Sequence, residues 1–595
     1  MDRRKVLGAV AISPFLHGIL GFGISLSSVN AAASNSLRSR LRPGMPDWPA
    51  ASDWEGLNRE ASGRLIALHS PFVRCDVTQD NAECLEAVKY LKNPYFVGDQ
   101  PALTQTSGWV DAWSSQPSAY AVAAETTADV VAAVNFARKR NVRLVVKGGG
   151  HSYQGTSTAP DSLLIWTRKM NEVSIHESFV GRGCEGSQAP RPAVTLGSGA
   201  MWIDAYDAVT TRAERYVQGG GFGNFSKAFG TAAAGLLEAE VVTADGRVRT
   251  VNACTHPDLF WAIKGGGGGS FGVITRLTLR TRELPENFGA VFGEIKASSD
   301  SAYRKLIAKV IRFYGSDLLN PHWGEQIAFR GDNTVHVSMV FQGLSSQQAK
   351  AIWAPFVDWA HSSNEYSVTN DFQFLGLPAK HFWDGDFYAQ HAPNLVVKDD
   401  RPAAPKYHTT WAGDLGQVGQ CIYAYKSAWL PATLLNPARQ SVLVDALFAS
   451  TRQWQVALHF NKGLAGAPAA EIDAARDTAT NPSVLDAFAL AIIGATGPPA
   501  FSGMPGASMN QAEARAESKR VGAAMDALLR AAPRAGSYVS ESDYFQKDWQ
   551  TAFWGRNYPR LARVKQKYDP DGHFFVHHGV GSEARSADGF TALRT

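Results

Sequence analysis

The chain has 595 residues, 45% hydrophobic and 19% charged, with 55 glycines; this is ordinary globular composition, too long for one simple core, so two or three lobes are expected. A formal charge of +4 over that length, with no long basic block, gives no support to nucleic-acid binding. Five cysteines, Cys75, Cys84, Cys184, Cys254 and Cys421, are too few for a disulfide scaffold.

Residues 1–33 read as a processing segment. Paired Arg3 and Arg4 precede a moderately apolar stretch, Val6 to Leu26, and then the small residues Ala31, Ala32 and Ala33. That is the pattern of a twin-arginine export signal cleaved near Ala31 or Ala33. Pro14, His17 and several Gly and Ser interrupt the stretch, which argues against the alternative of an anchor, so no stable membrane span is expected. Export would permit a Cys75–Cys84 disulfide; two unpaired thiols are the alternative. Residues 34–113 form a mixed, aromatic lead-in without periodic signal.

From Ala119 the elements alternate. "YAVAAETT" predicts a short strand, "TADVVAAVNFARKRN" a helix with apolar spacing capped by Thr127, and "VRLVVKGGG" a strand entering a tight loop. Strand, helix and turn-rich strand continue to about Leu279. Residues 286–530 are richer in Ala, His and Trp, carry no glycine run and read as a second lobe. The last stretch combines an aromatic cluster with a helix from Tyr558 to Tyr568, stopped by Pro570.

Four glycine clusters fall in the first lobe: Gly148–Gly150, Gly197 and Gly199, Gly219–Gly221, and Gly265–Gly269. Unobstructed backbone N–H groups make an anion cradle, so a nucleotide phosphate explains them together, although each alone reads equally well as a turn. Gly267-x-Gly269-x-x-Gly272 matches the dinucleotide fingerprint formally, but it runs into the strand pattern "VITRLTLRT" where the fingerprint must open a helix. No G-x-x-x-x-G-K-[ST] sequence occurs. His151, directly after three glycines, suits a ligand, a base or an attachment point. His573 and His577 stand four apart but follow Pro570, Asp571 and Gly572, with no third ligand nearby, so no metal site is assigned.

"VVKGGGHSYQGTS", "GLLEAEVVTADGRV", "DLFWAIKGGGGGSFGVIT" and "NYPRLARVKQKYDPDGHFF" resemble the FAD-linked oxidoreductases of the vanillyl-alcohol-oxidase superfamily, in its berberine-bridge-enzyme-like branch. The resemblance covers roughly Ala119 to Leu279 and Tyr538 to Phe575. It implies an α+β fold: a two-subdomain PCMH-type FAD-binding domain over 114–285, a substrate domain over 286–530 with an antiparallel sheet covered by helices, and a segment over 531–595 returning to the FAD lobe. The family's histidine after the glycines bonds covalently to the flavin 8α-methyl, which implies that role for His151. A neutral imidazole is a nucleophile near neutral pH, and a tether prevents cofactor loss after export. By the same resemblance Gly148, Gly149, Gly150 and Ser152 face the pyrophosphate and flavin edge. Gly235, Glu240, Val241 and Val242 line the dinucleotide; Gly269, Gly272, Val273 and Ile274 form the last glycine turn. Asn557 and Tyr558 reach the flavin ring.

One departure stands out. Many relatives attach the flavin a second time through a cysteine before a second glycine turn; here "RYVQGGGFGNFSKAFG" has no cysteine between Val217 and Lys227, as if a loop were missing. Covalent attachment through His151 only is therefore expected. The resemblance implies an exported FAD-dependent oxidoreductase. It would take hydride from an alcohol, hemiacetal or similar small hydroxylated substrate to flavin N5, with oxygen or another acceptor downstream. A catalytically weak flavin- or ligand-binding remnant is the alternative the missing loop raises. The family's base is commonly a C-terminal tyrosine; Tyr544 and Tyr558 are the candidates, each equally readable as packing, with Asp543 and Asp384 behind them. Such a tyrosine, ordinarily near pKa 10, needs lowering to act.

Overall fold

Strands Arg143–Lys147 and Ser162–Trp166 are nearly continuous apolar runs, as strands buried on both faces must be, and they pair in parallel. Tyr120–Ala123 joins the other side of Ser162–Trp166 in parallel, and Leu65–Ala67 adds an antiparallel edge. The helix Thr127–Lys139 leaves Tyr120–Ala123 and leads into Arg143–Lys147. Its Val130, Ala133, Val134 and Ala137 form the apolar stripe, packed with Leu144, Leu163 and Ile165. The cap is Thr126 and not Thr127: Thr126 Oγ1 accepts from the Asp129 N–H at 3.3 Å, and Asp129 Oδ2 accepts from the Thr126 N–H at 2.9 Å.

This computed structural model describes residues 39–73, 75, 81–218, 221–507 and 509–593. The expected export signal over 1–33, and Gly219 and Gly220 of the third glycine cluster, lie outside them. Residues 39–595 form one compact unit. Among the described residues a second, antiparallel sheet runs Val248–Asn252, Leu236–Val242, Val273–Glu283, Arg191–Gly197, Val173–Phe179, with Arg215–Val217 beside the far end of Val273–Glu283. A nine-stranded sheet carries the second lobe, from Tyr366–Pro378 at one edge to Trp113–Ser114 at the other. Helices Asp300–Phe313, Ser346–His361, Pro437–Thr451 and Gln511–Leu529 pack on it and build the largest core. The first buries Tyr303, Leu306, Ile307, Val310 and Ile311, a helical period along one face.

Two features depart from expectation. The lead-in is structured: it supplies the helix Ala51–Glu60, the edge strand of the first sheet, and the hairpin Gly108–Trp109/Trp113–Ser114 that closes the nine-stranded sheet. Strands of two or three residues are too short to show an alternation. Cys184 and Cys254, which look unrelated in sequence, are joined, as are Cys75 and Cys84. Loop closure over 70 residues leaves no local trace in the sequence.

Candidate functional site

Lys147 ends its strand with a buried ammonium that donates to the carbonyls of Gln100, Pro101 and Leu103, each at 2.8 Å; burial pulls its pKa down to about 7. The glycine loop springs from this fixed root. Gly150 has a φ of 76°, and a Cβ there would stand 3.2 Å from the Lys147 stem, so the turn calls for glycine. The loop delivers His151 exposed at its tip.

The second wall is the stretch 265–272. Gly265, Gly267 and Gly269 take left-handed φ, and a Cβ on Gly269 would stand 2.5 Å from Val576. A Cβ on Gly268 or Gly149 would meet nothing within 4 Å, so both glycines edge open space. Among the described residues the N–H groups of Gly149, His151, Ser152, Gly267, Gly268 and Gly269 have no hydrogen-bond partner. Two clusters of free N–H groups across a gap form an anion cradle.

The third wall is the returning C-terminal segment. Lys565 donates to Asp569 Oδ2 and Ser270 O at 2.6 Å and to Phe574 O at 2.8 Å, while Asp569 accepts from the N–H groups of His573 and Phe574. This buried pair fastens Phe574–Gly579 against the second glycine wall.

Between the walls lie two adjoining cavities of about 400 and 290 Å³, which share Gly267–Gly269, Gly272, Ile274, Val539, Ser540 and Phe553. The larger is lined by Gly148, His151, Ser152, Gln154, Val273 and Val576. The smaller is mostly apolar, with Leu236, Val241, Leu277, Phe222, Trp429 and Tyr538. N–H groups in the middle and apolar walls beside them suit a dinucleotide: the anion needs donors and the flat rings need hydrocarbon.

The sequence-derived residues divide accordingly. Gly148, His151, Ser152, Val241, Gly269, Gly272, Val273 and Ile274 line the groove. Gly149 and Gly150 shape the loop behind them, and Gly235 immediately precedes the lining residue Leu236. Val242 is fully buried, with its carbonyl 2.6 Å from where a Gly272 Cβ would lie. Glu240 accepts hydrogen bonds from Thr127, Thr275 and Arg276, so it braces the sheet. Asn557 donates to Thr480 O at 2.8 Å and so holds a groove wall, since Thr480 lines the smaller cavity.

Neither tyrosine stands as a base should. The Tyr558 hydroxyl donates to Glu583 at 2.6 and 2.7 Å, outside the groove lining, and burial with that carboxylate raises its pKa. The Tyr544 ring lies on His577, centroids 3.7 Å apart, and burial raises its pKa too. Both shifts oppose deprotonation. Asp543 is paired with Lys426, and Asp384 caps the helix Gly385–His391 while accepting from His381. His573 is buried, which pushes its pKa down to about 3, and His577 lines the larger cavity.

The sequence reading missed Gln154, Val539, Ser540 and Phe574–Gly579, all in the lining. "HFFVHHG", directly after the terminal helix, was a usable signal only once that helix was known to end at the groove. It also missed a group of ionisable side chains on the side of the nine-stranded sheet. Asp414, in the turn Ala412–Gln417, lies within electrostatic reach of His151, and burial pushes its carboxyl up. Lys462 donates to both carboxylate oxygens of Glu541, one at 2.6 Å. Glu325, on the strand Trp323–Phe329, is pushed up to about 7 by burial, with Lys462 acting in the opposite direction.

Comparison with known proteins converges on the same walls. The FAD binding domain family matches residues 118–252, and the family described as berberine and berberine like matches residues 537–581. The VAO-type flavoprotein oxidase VAO615 of Thermothelomyces thermophilus is 26% identical, over 93% of this chain and 95% of its own. The chain thus carries an FAD binding domain match and a berberine-like match, and over nearly its whole length it is similar to VAO-type flavoproteins. The FAD-linked oxidoreductase ZEB1 of Gibberella zeae is 28% identical over 96% of each chain. The fold is that of the VAO-type flavoprotein MtVAO615 from Myceliophthora thermophila, with a TM-score of 0.73 and 24% identity over 94% of this chain and all of the other. Both matched stretches contribute to the groove.

Proposed function

We propose that this protein holds FAD covalently through His151 alone and oxidises a CH–OH centre of a small hydroxylated substrate, passing electrons to oxygen or another acceptor. The observation that carries this reading is the exposed imidazole of His151, which lines the larger cavity within electrostatic reach of Asp414, one of the ionisable group Glu325, Asp414, Lys462 and Glu541, hereafter the chamber. Gly148, Gly149, Gly150, Ser152 and the N–H groups of Gly267–Gly269 would hold the pyrophosphate; Val241, Gly272, Val273 and Ile274 form the floor with Gly235 and Val242 supporting it, and Asn557 steadies the wall at Thr480. Bound FAD supplies the two-electron acceptor. His151 fixes the ring's position, the walls exclude water, and the chamber handles the substrate's proton.

Single attachment is supported by the cysteines of the described residues: Cys75–Cys84 and Cys184–Cys254 are paired, and the one free cysteine, Cys421, is buried beside Met509. Fold neighbours named as xylooligosaccharide and chitooligosaccharide oxidases support a hydroxylated substrate, and a glucooligosaccharide oxidase titled for 6-S-cysteinyl, 8α-N1-histidyl FAD supports the histidyl link. Export through the Arg3–Arg4 signal is supported by the two disulfides, which persist in oxidising compartments. No helix among the described residues is long and apolar enough to cross a membrane.

The test is simple. Protein precipitated with acid should keep its yellow colour, and His151→Ala should fold while losing all acid-stable flavin. A colourless chain that FAD cannot reconstitute would instead favour a ligand-binding remnant.

A further inference from the structure

The ionisable group on the side of the nine-stranded sheet has an unusual member. Glu325 takes a left-handed φ of 62° inside a strand, a strained conformation for a residue with a side chain. The surroundings hold it there. Phe460 N–H donates to its carbonyl at 2.8 Å, and Asn461 Nδ2 donates to its Oε1 at 3.1 Å. The same amide approaches Gly223 O at 3.4 Å, just after Gly221 and Phe222, which line the smaller cavity. The carboxyl is therefore linked through Asn461 to the backbone that follows Gly221 and Phe222. Asn461 is 3% exposed, and its Oδ1 has no partner among the described residues. A buried acceptor left unpaired is costly and calls for a donor from elsewhere.

The charged and titratable groups around the Glu325 carboxyl come from four elements. Lys462 follows Asn461, Glu541 comes from the stretch after Tyr538, Asp414 from the turn Ala412–Gln417, and Tyr216 from the strand Arg215–Val217. The Lys462 ammonium is held by Glu541, so its pull on Glu325 is partial. Burial and the two neighbouring carboxylates keep Glu325 near neutrality, the range in which a general base works best at physiological pH.

We propose that Glu325 is the proton acceptor for the substrate hydroxyl and that Asn461 is its positioning residue, holding one carboxylate oxygen so that the other is free to take the proton. This rests on the flavin reading above. The substrate O–H bond breaks and its proton passes to Glu325 Oε2. The oxygen keeps that electron pair and forms the carbonyl as the C–H pair leaves to the flavin, the two-electron oxidant.

The test compares the purified protein with Glu325→Gln. Infrared difference spectra without substrate, taken between about pH 6 and about pH 8, are expected to show a carboxylic-acid band lost with a midpoint near 7 and missing in the variant. Anaerobic bleaching of the flavin by substrate is expected to slow by roughly 100- to 10,000-fold and to lose its inflection near pH 7, while acid-stable flavin content is unchanged. A yellow E325Q protein that bleaches at the parental rate with the parental inflection, or that keeps the infrared band, would overturn the role of Glu325 and leave the flavin reading standing. A parent protein without flavin overturns the reading and the base together. Where E325Q fails to load flavin, Asn461→Ala decides: loss of the donated hydrogen bond should raise the inflection, and an unmoved inflection counts against the proposal.

Discussion

The groove and the chamber are built by opposite means. The groove is made of backbone: glycines without side chains leave N–H groups unobstructed, and the side chains that line it are mostly apolar. The chamber is made of side chains whose charges oppose one another, Glu325, Asp414 and Glu541 against Lys462. A backbone site tolerates no side chain but needs no proton balance, whereas a side-chain site depends on pH and on every neighbour. Mutations should therefore act on the groove through stability and cofactor loading, and on the chamber through titration.

The largest effect is expected at the pair that fastens the third wall. Lys565→Met leaves Asp569 as an uncompensated buried charge, and about 3–5 kcal/mol of stability should be lost, together with most bound flavin. Chemical denaturation and the absorbance ratio of flavin to protein check it; a wild-type midpoint would break the link between this pair and the groove. Glu325→Gln should act in the other direction. Its folded pKa, raised from 4.5 to about 7, means that ionisation costs stability as pH climbs through that window. The variant should match the parent below about pH 4.5 and exceed it by about 3 kcal/mol above pH 7. Melting curves across pH read this directly, and a pH-independent difference would contradict it. The smallest effect belongs to Tyr558→Phe. Its hydroxyl serves Glu583, so stability should fall by about 1 kcal/mol and substrate-driven bleaching should change less than twofold, a stopped-flow measurement that separates packing from catalysis.

The groove was legible because its signals are local. "VVKGGGHS" and "GGGGGSFGVIT" each keep strand, turn and glycine within a dozen residues, and Gly148, His151, Gly269 and Gly272 all reach the lining. The helix Tyr558–Tyr568 was legible from its period and its following proline. Gly197 and Gly199 were read as part of the cradle, but a Cβ at either would collide with the backbone of 167–170; they serve close packing of a turn against a strand end. The chamber was not legible. Asn461, Glu541 and Asp414 come from separate elements and meet Glu325 only through the sheet Trp323–Phe329 and its neighbours, and nothing in "WGEQIAF" marks its glutamate as different from any surface residue. Tyr544 and Tyr558 were candidates because the family's base is commonly a C-terminal tyrosine; their hydrogen-bond partners and stacking leave no trace in the sequence.

The most direct test of the account is where the flavin is attached. Acid-denatured protein digested with trypsin should yield one flavin-bearing peptide, containing His151, with FAD bound through that imidazole and no cysteinyl link. A second flavinylated residue, or flavin released entirely by acid, would contradict it.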